Sequence, residues 1–528
     1  MGKFNSGSVK DRKYTKNTVQ NKAGGHVYNI SDQAKLAGMI FTSLVDDTFY
    51  RTQKQFVVEL TELIVKCDPE FVAKTAWKAR HVYGLRSVSH LVTNILSTTG
   101  ATSGVSWGST FYDSIAMRPD DITEILALSD GKPSHAMRKG FAKSMQRFDE
   151  YQLAKYAKFQ QTDGRINLND VLRLCHVPFE KGTNNPLEKL MYRTLRSTHT
   201  VEAKGNTTEG WIDLLTNNRL GYTALVKNLK NIINKSDDTL TKLACDELVN
   251  KKSVANSKLL PMYFLKAYQF LKTEFNNNPS IHARKIIEHL SKACDISLKN
   301  IKPLHGKTLI LIDQSGSMRY IKDTAHLFAC SLAHACDEYI VVAFSDSGWS
   351  GYSYNKKSYE RPMNYIATLT ENSILNTALN LLFRGGGTDF SGTYKQLMKD
   401  NIKVDRVIQI TDQQEWTRSS ITGVPSYVDF RKWCSKVDMN PEMWSIDIAG
   451  LGTSVFPEDK IRTMYGISEK IFDLIPEMEA DPKVFIDSIN DIEFLTTQEI
   501  KNKKRHKVEI EVKSNDVDEE ELDPFEII

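Results

Sequence analysis

At 528 residues the chain exceeds one ordinary hydrophobic core, and two to four domains are expected. A composition of 41% hydrophobic and 25% charged residues is that of a soluble globular protein and argues against a wholly disordered chain, and no apolar run reaches the length that spans a bilayer. The formal net charge of +4 is slight for this size, so affinity for nucleic acid must come from local patches.

The basic N-terminal stretch, residues 1–16, lacks the apolar core of a secretory signal. Seven cysteines, at 67, 175, 245, 294, 330, 336 and 434, form no C-x-x-C pair, which argues against a disulfide framework or a zinc ribbon. A reducing cytoplasm is the expected location. From residue 17 to about 300, helical periodicity dominates. Phe56, Leu60, Leu63, Ile64 and Cys67 fall on one helical face, as do Val88, Leu91, Val92, Ile95 and Leu96. Between them a helix is predicted to start after Asp68 with Pro69 at its first position and to close at Gly84. Further helices of about a dozen residues follow with short links, a pattern that predicts antiparallel pairs stacked in series, although no strict sequence repeat is visible.

Beyond residue 300 strands and helices alternate. The predicted strands are KTLILI, YIVVAF, DRVIQIT and EMWSIDIAG, with helices over KDTAHLFACSLAHAC, NSILNTALNLLF, GTYKQLMKD and DPKVFIDSINDI. This order predicts a mainly parallel, doubly wound sheet with helices on both faces, spanning 301–495. Residues 496–528 switch from basic to acidic and read as a partly flexible tail.

The first of these strands ends in Asp313, Ser315 and Ser317, where ligands bind an open α/β sheet. A carboxylate and two hydroxyls make a hard oxygen site suited to Mg2+, with Mn2+ as the alternative, and unsuited to zinc. Three groups are too few for an octahedral ion. Thr388, in the glycine-rich FRGGGTDFSG loop, and Asp412, after the strand VIQIT, are the candidates for completing it. Helix capping is the competing role for each Ser and Thr taken singly. No G-x-S-x-G elbow surrounds Ser315, so nucleophilic catalysis is not expected.

D-x-S-G-S, the later G-G-T-D and the apolar strand ending in Thr-Asp resemble the metal-ion-dependent adhesion site (MIDAS) of von Willebrand factor A (vWA) domains. The resemblance implies that Ser315, Ser317 and Thr388 touch the ion directly, that Asp313 and Asp412 act directly or through water, and that one position stays open for a partner's acidic oxygen. One departure is Gln413, where that family usually has glycine.

In the helical half, Met137 to Lys158 holds six Lys or Arg and two acids, with interleaved aromatics Tyr151 and Tyr156. Basic groups neutralise phosphates and aromatics stack on unpaired bases. His81, Arg86 and His90 in HVYGLRSVSH add further candidates. The ordered blocks QNKAGGHVYNISD, DTFY, DPEFVAKTAWKARHVYGLRSVSH, RPDDITEIL, MRKGFAKSMQRFDEYQLAKY and VLRLCHVP resemble the TROVE module of the Ro autoantigen family and its bacterial orthologues, from about residue 17 to 300. TROVE followed by vWA is that family's layout.

The resemblance implies a monomeric ring of HEAT-like helical repeats closed by the vWA domain, with no enzymatic activity of its own. It implies an outer basic surface that binds Y-like non-coding RNA. It also implies a central hole that takes single-stranded ends of misfolded RNAs in RNA quality control, and a tethered exoribonuclease such as polynucleotide phosphorylase. Carried over residue by residue, it assigns RNA contacts first to Lys155, Lys158 and His176, then to Arg138, Lys139 and Lys143. The competing reading is a metal-dependent protein-binding vWA module with a helical spacer and no RNA role; a metal-dependent nuclease is disfavoured because there is no second ion site.

Overall fold

The structure, a computed structural model, describes residues 18–42, 52–157, 165–195, 206–277, 279–345, 365–366, 373–415, 423–457, 461–466, 471–472, 475, 479 and 486–494. The contacts divide the chain into two compact units, Ile64–Ser197 with Ile489–Ile528 and Met1–Leu63 with Thr198–Ser488. The change of sequence texture near residue 300 thus falls inside the second of these units.

The first unit is helical. Its elements are Pro69–His81, Ser87–Thr98, Gly108–Ile115, Pro119–Leu128, His135–Arg147, Glu150–Ala157, Leu168–Leu174 and Pro186–Met191. Local chemistry sets the ends. The Asp68 carboxylate accepts the Phe71 N–H at 2.9 Å, Pro69 occupies the first turn, and Gly84 takes the left-handed φ of +68° just past the helix. The Ser134 hydroxyl likewise caps His135–Arg147 by accepting the Met137 N–H.

These helices stack with a constant offset. The His81 ring N–H donates to the Ser114 carbonyl 33 residues on, Arg86 reaches Asp120, His90 reaches Glu124, and Arg147 reaches back to Asp113, each 34 residues away. Asn94 repeats the 34-residue step to the Leu128 carbonyl. A recurring offset of this kind is the contact signature of helical repeats, in which each pair buries its face only against its neighbour. It is carried by who touches whom, which is why residue identities alone show no repeat.

The other unit joins the helices Thr208–Thr216, Tyr222–Ile233, Asp238–Leu248, Lys251–Ser257, Pro261–Glu274 and Ile281–Ser297 to the α/β segment. In chain order its strands are β1 (Thr18–Gln20), β2 (His26–Asn29), β3 (Leu304–Asp313), β4 (Cys336–Phe344), β5 (Tyr365–Ile366), β6 (Arg406–Thr411), β7 (Glu442–Asp447), β8 (Thr453–Ser454) and β9 (Arg462–Tyr465). The main sheet has the order β5-β4-β3-β6-β7-β9, parallel except for the antiparallel edge strand β5. After β4 the winding reverses, so β3 and β6 flank a switch point where a crevice opens at their carboxyl ends. β3 and β6 are almost fully buried along their apolar stretches, as strands covered on both faces must be.

The hairpin β1–β2 adds to this same unit. β2 pairs antiparallel with β8, and Tyr28 enters the α/β core edge-on to Tyr427 at 6.2 Å. The following helix, Asp32–Thr42, packs so closely that a Cβ on Gly450 would lie 2.4 Å from the Gly38 carbonyl carbon. The block QNKAGGHVYNISD, expected at the start of the helical domain, therefore packs with the α/β segment, in a separate three-stranded sheet of order β1-β2-β8. Of the expected helix over DPKVFIDSINDI only Asp487–Asn490 is described as helical, and both charged termini lie outside the described residues.

Gly140 marks a close helix contact of the first unit. A Cβ there would sit 2.5 Å from both the Ser109 carbonyl oxygen and the Tyr112 Cβ. In an open helix Gly→Ala stabilises by about 0.5–1 kcal/mol. Here Gly140→Ala is expected to destabilise by about 1–3 kcal/mol through overpacking. Thermal unfolding of the variant measures this, and an unchanged or raised Tm would contradict the close crossing.

Candidate functional site

The switch point gathers the metal-site candidates through backbone turns that the strand ends impose. Asp313 is the last residue of β3 and Asp412 follows the last residue of β6, with Ile312 opposite Ile410 in register. One Asp313 oxygen accepts the Ser315 N–H and the other the Thr411 hydroxyl, both at 2.8 Å. The Ser315 and Ser317 hydroxyls are 3.2 Å apart, and Ser317 donates to Asp412. Asp412 also accepts the Gln414 N–H at 3.0 Å. Four of the five candidates thus form one hydrogen-bonded string. The loop of Thr388 is drawn to the same turn because the Gly316 N–H donates to the Gly386 carbonyl at 2.9 Å. Thr388 is itself buried, and Asp389 caps the next helix, Phe390–Lys399, by accepting the Gly392 N–H.

The electrostatics fit a cation. Asp313 and Asp412 are each 1% exposed, and neither makes an ion pair among the described residues. Burial and the neighbouring Asp412 push Asp313 up to about 7, and burial raises Asp412 as well. Two desolvated carboxylates side by side favour either a proton or a positive ion between them. Among the described residues no three His, Cys, Asp or Glu side chains converge as a metal cluster. The donor set is instead two carboxylates and three hydroxyls, which suits Mg2+ or Mn2+.

Gln413 explains its own departure from the glycine of vWA domains. Its backbone takes φ +61°, the left-handed region that glycine enters freely. The side chain offsets that cost by bridging the sheet, with its amide N–H donating to the Ser445 hydroxyl and its carbonyl accepting the Val455 N–H at 3.0 Å. Neighbouring Gln414 and Asn21 carry supporting roles that sequence spacing did not signal. The Gln414 carbonyl accepts the Lys22 N–H at 3.0 Å, and the Asn21 amide donates to the Glu415 carbonyl at 2.6 Å. The β1–β2 turn therefore buttresses the loop that carries Asp412.

The RNA candidates separate into exposed and structural groups. Lys139 and Lys143 are exposed, four residues apart on one face of His135–Arg147. Lys155 is exposed in the last turn of Glu150–Ala157, its ammonium 5.9 Å from the Tyr156 ring. His176 is exposed in a left-handed turn after Leu168–Leu174, its N–H donating to the Arg173 carbonyl. Arg138 is half-buried and donates to the Pro133 carbonyl at 3.3 Å. Lys158 lies outside the described residues.

His81, Arg86 and His90 are structural. His81 stacks on Trp77 with centroids 4.1 Å apart, and burial lowers it to about 4. Arg86 pairs with Asp120, Asp121 and Glu124. Burial opposes protonation of His90, but Asp121 and Glu124 overcome it and raise its pKa. Asp121 is the hub. It also accepts Arg80 at 2.8 Å and the backbone N–H of Met117 and Arg118, and despite burial these partners hold its carboxyl far below the ordinary range. Arg147, in the same basic segment, is likewise consumed by Asp113 at 2.8 Å.

Fold and site together define a protein in which helical repeats accompany a vWA-type α/β domain. Residues 195–303 match the TROVE domain family. The chain is 22% identical over 455 residues, 75% of its length, to the RNA-binding protein RO60 of Deinococcus radiodurans, covering 83% of that protein. It also resembles the crystal structure of the Deinococcus radiodurans RO (RSR) protein, with a TM-score of 0.54 and 16% identity over 83% of this chain and 97% of that one. The chain is thus similar to the bacterial Ro proteins in fold and in part of its sequence. The TROVE match covers the helices after Thr198, whereas the blocks that carried the resemblance most strongly in the sequence lie before residue 200.

Replacing Asp313 by Asn removes one of two buried like charges. Without divalent ions Asp313→Asn is expected to leave Tm unchanged or raise it. With millimolar Mg2+ the wild type gains stability that the variant lacks, so the order of the two Tm values reverses. A wild-type Tm indifferent to Mg2+ would contradict the site.

Asp121 has a depressed folded pKa, so its stabilisation is present above the unfolded value of about 4 and is lost as pH falls. Asp121→Asn is expected to cost about 3–5 kcal/mol at pH 7, as when one member of a buried charge network is removed. Denaturant titrations of both proteins should show that gap narrowing steadily toward pH 3. A gap constant with pH would rule out the charge network as its source.

Proposed function

We propose that this chain is a non-catalytic, RNA-binding scaffold of the Ro type. The observation that carries the reading is the presence on one chain of a TROVE domain match and a vWA-type α/β domain, the pairing expected of a Ro protein. The name of its Deinococcus relative, an RNA-binding protein, supports the same reading. Exposed Lys139, Lys143 and Lys155, with His176, supply phosphate contacts for structured, Y-like RNA, while Arg138 contributes at the margin. Single-stranded ends of misfolded RNAs enter the central hole of the monomeric ring that the family resemblance implies. An exoribonuclease such as polynucleotide phosphorylase is the matching protein partner, and the cytoplasm the matching location.

The vWA domain has a separate role. Asp313, Ser315, Ser317, Thr388 and Asp412 would hold Mg2+, which when bound supplies a coordination position for an acidic side chain of a protein partner. The residues themselves fix the donors in place through the hydrogen bonds from Ser315, Thr411 and Gln414.

Purified protein should carry RNA and bind a stem-loop RNA with strong salt dependence. Lys139→Ala combined with Lys143→Ala should weaken that binding at least tenfold at physiological salt. It should also reduce the slope of log K against log salt by about 1–2, as expected for two lost phosphate contacts. Metal-dependent protein capture with no measurable RNA affinity would instead support the reading of a vWA adhesion module with a helical spacer.

A further inference from the structure

A cleft of about 630 Å³ lies between the helices Pro261–Glu274 and Ile281–Ser297 and the segment from Ser373 to Asn376. It falls within the range of small-molecule sites, and its two helical walls lie inside the TROVE match. We propose that this cleft is a subsite for a nucleotide of single-stranded RNA, with the phosphate at the Lys272 and Arg284 end and the base at the Ser291 and Asp295 end. The proposal deepens the RNA-binding reading and rests on it.

Polarity along the cleft carries the assignment. At one end, Lys272 sits 5.5 Å over the Tyr268 ring, and the Arg284 Nε–H donates to the Pro279 carbonyl at 3.0 Å. Neither cation pairs with a carboxylate among the described residues, whereas Lys292 further along is neutralised by Glu288 at 2.8 Å. The N-terminus of the 17-residue helix Ile281–Ser297 lies at this same end, and its dipole adds to the positive field. Half-buried Phe275 borders the same end.

From Arg284 to Asp295 is about 16 Å along the helix, at 1.5 Å per residue. There the character reverses. Asp295 accepts the Ile374 N–H at 2.8 Å through one oxygen, and the Ser291 and Ser373 hydroxyls lie 2.6 Å apart. A carboxylate repels a second phosphate but accepts hydrogen bonds from an exocyclic amino group, as acidic side chains do from cytosine. Cations at one end and an acceptor at the other fit a nucleotide and disfavour a bare polyanion or a duplex backbone. They also favour the amino-bearing bases over uracil.

The test uses the full chain with fluorescent single-stranded C6, A6 and U6 and with a stem-loop RNA. C6 and A6 should bind several-fold more tightly than U6. Lys272→Ala combined with Arg284→Ala should weaken C6 binding at least tenfold while changing stem-loop affinity less than twofold; both residues are exposed, so the fold is retained. Stem-loop binding without hexamer binding, or hexamer binding indifferent to the double variant, would overturn the subsite and leave the general RNA reading standing. Absence of binding to every RNA would overturn both.

Discussion

The α/β unit is organised around two carboxylates that must share a dry space. Asp313 and Asp412 emerge from adjacent parallel strands on either side of the switch point, and both are buried. Like charges in such a place destabilise the fold unless something positive or many donors face them. The surrounding residues supply the donors: backbone N–H groups from Ser315 and Gln414, hydroxyls from Thr411 and Ser317. Gln413 holds the loop in a left-handed turn by spanning to β7 and to the residue after β8, and the β1–β2 turn braces it from outside. Such supports are those that a preorganised cation site would need, with the cost of assembling like charges met during folding.

Charge is handled differently in the helical repeats. Acids and bases are spent on each other across the stack, at offsets near 34 residues, and Asp121 is the clearest case. Arg80, Arg86, His90 and Arg147 fix the repeats to one another, which leaves the solvent-facing Lys139, Lys143 and Lys155 to meet a partner. A basic count along the sequence overstates the available positive surface, because only geometry separates cations that hold the fold from cations that face outward.

The strands β3, β4, β6 and β7 were legible because each is a short apolar run, and the metal candidates because polar residues follow those runs directly. Helix Pro69–His81 was legible from its aspartate, proline and glycine punctuation. The hairpin β1–β2 was not, since its partner β8 lies more than four hundred residues away and no local pattern announces such a pairing. Gln414 and Asn21 were missed for the same reason, their contact being purely tertiary. His81 and Arg86 looked like nucleic-acid ligands because burial is invisible in a short polar string, and helix Tyr427–Val437 passed unnoticed although its aromatic face fills the α/β core.

Oxygen donors from β3, from the loop of Thr388 and from β6 would together hold one divalent ion. Titration of the full chain with Mn2+, followed by electron paramagnetic resonance, tests this most directly. Saturation is expected at one tightly bound ion displaceable by Mg2+, with an all-oxygen coordination sphere that shows no nitrogen coupling from histidine. Failure to bind Mn2+ at millimolar concentration, or a bound ion with nitrogen ligands, would contradict it.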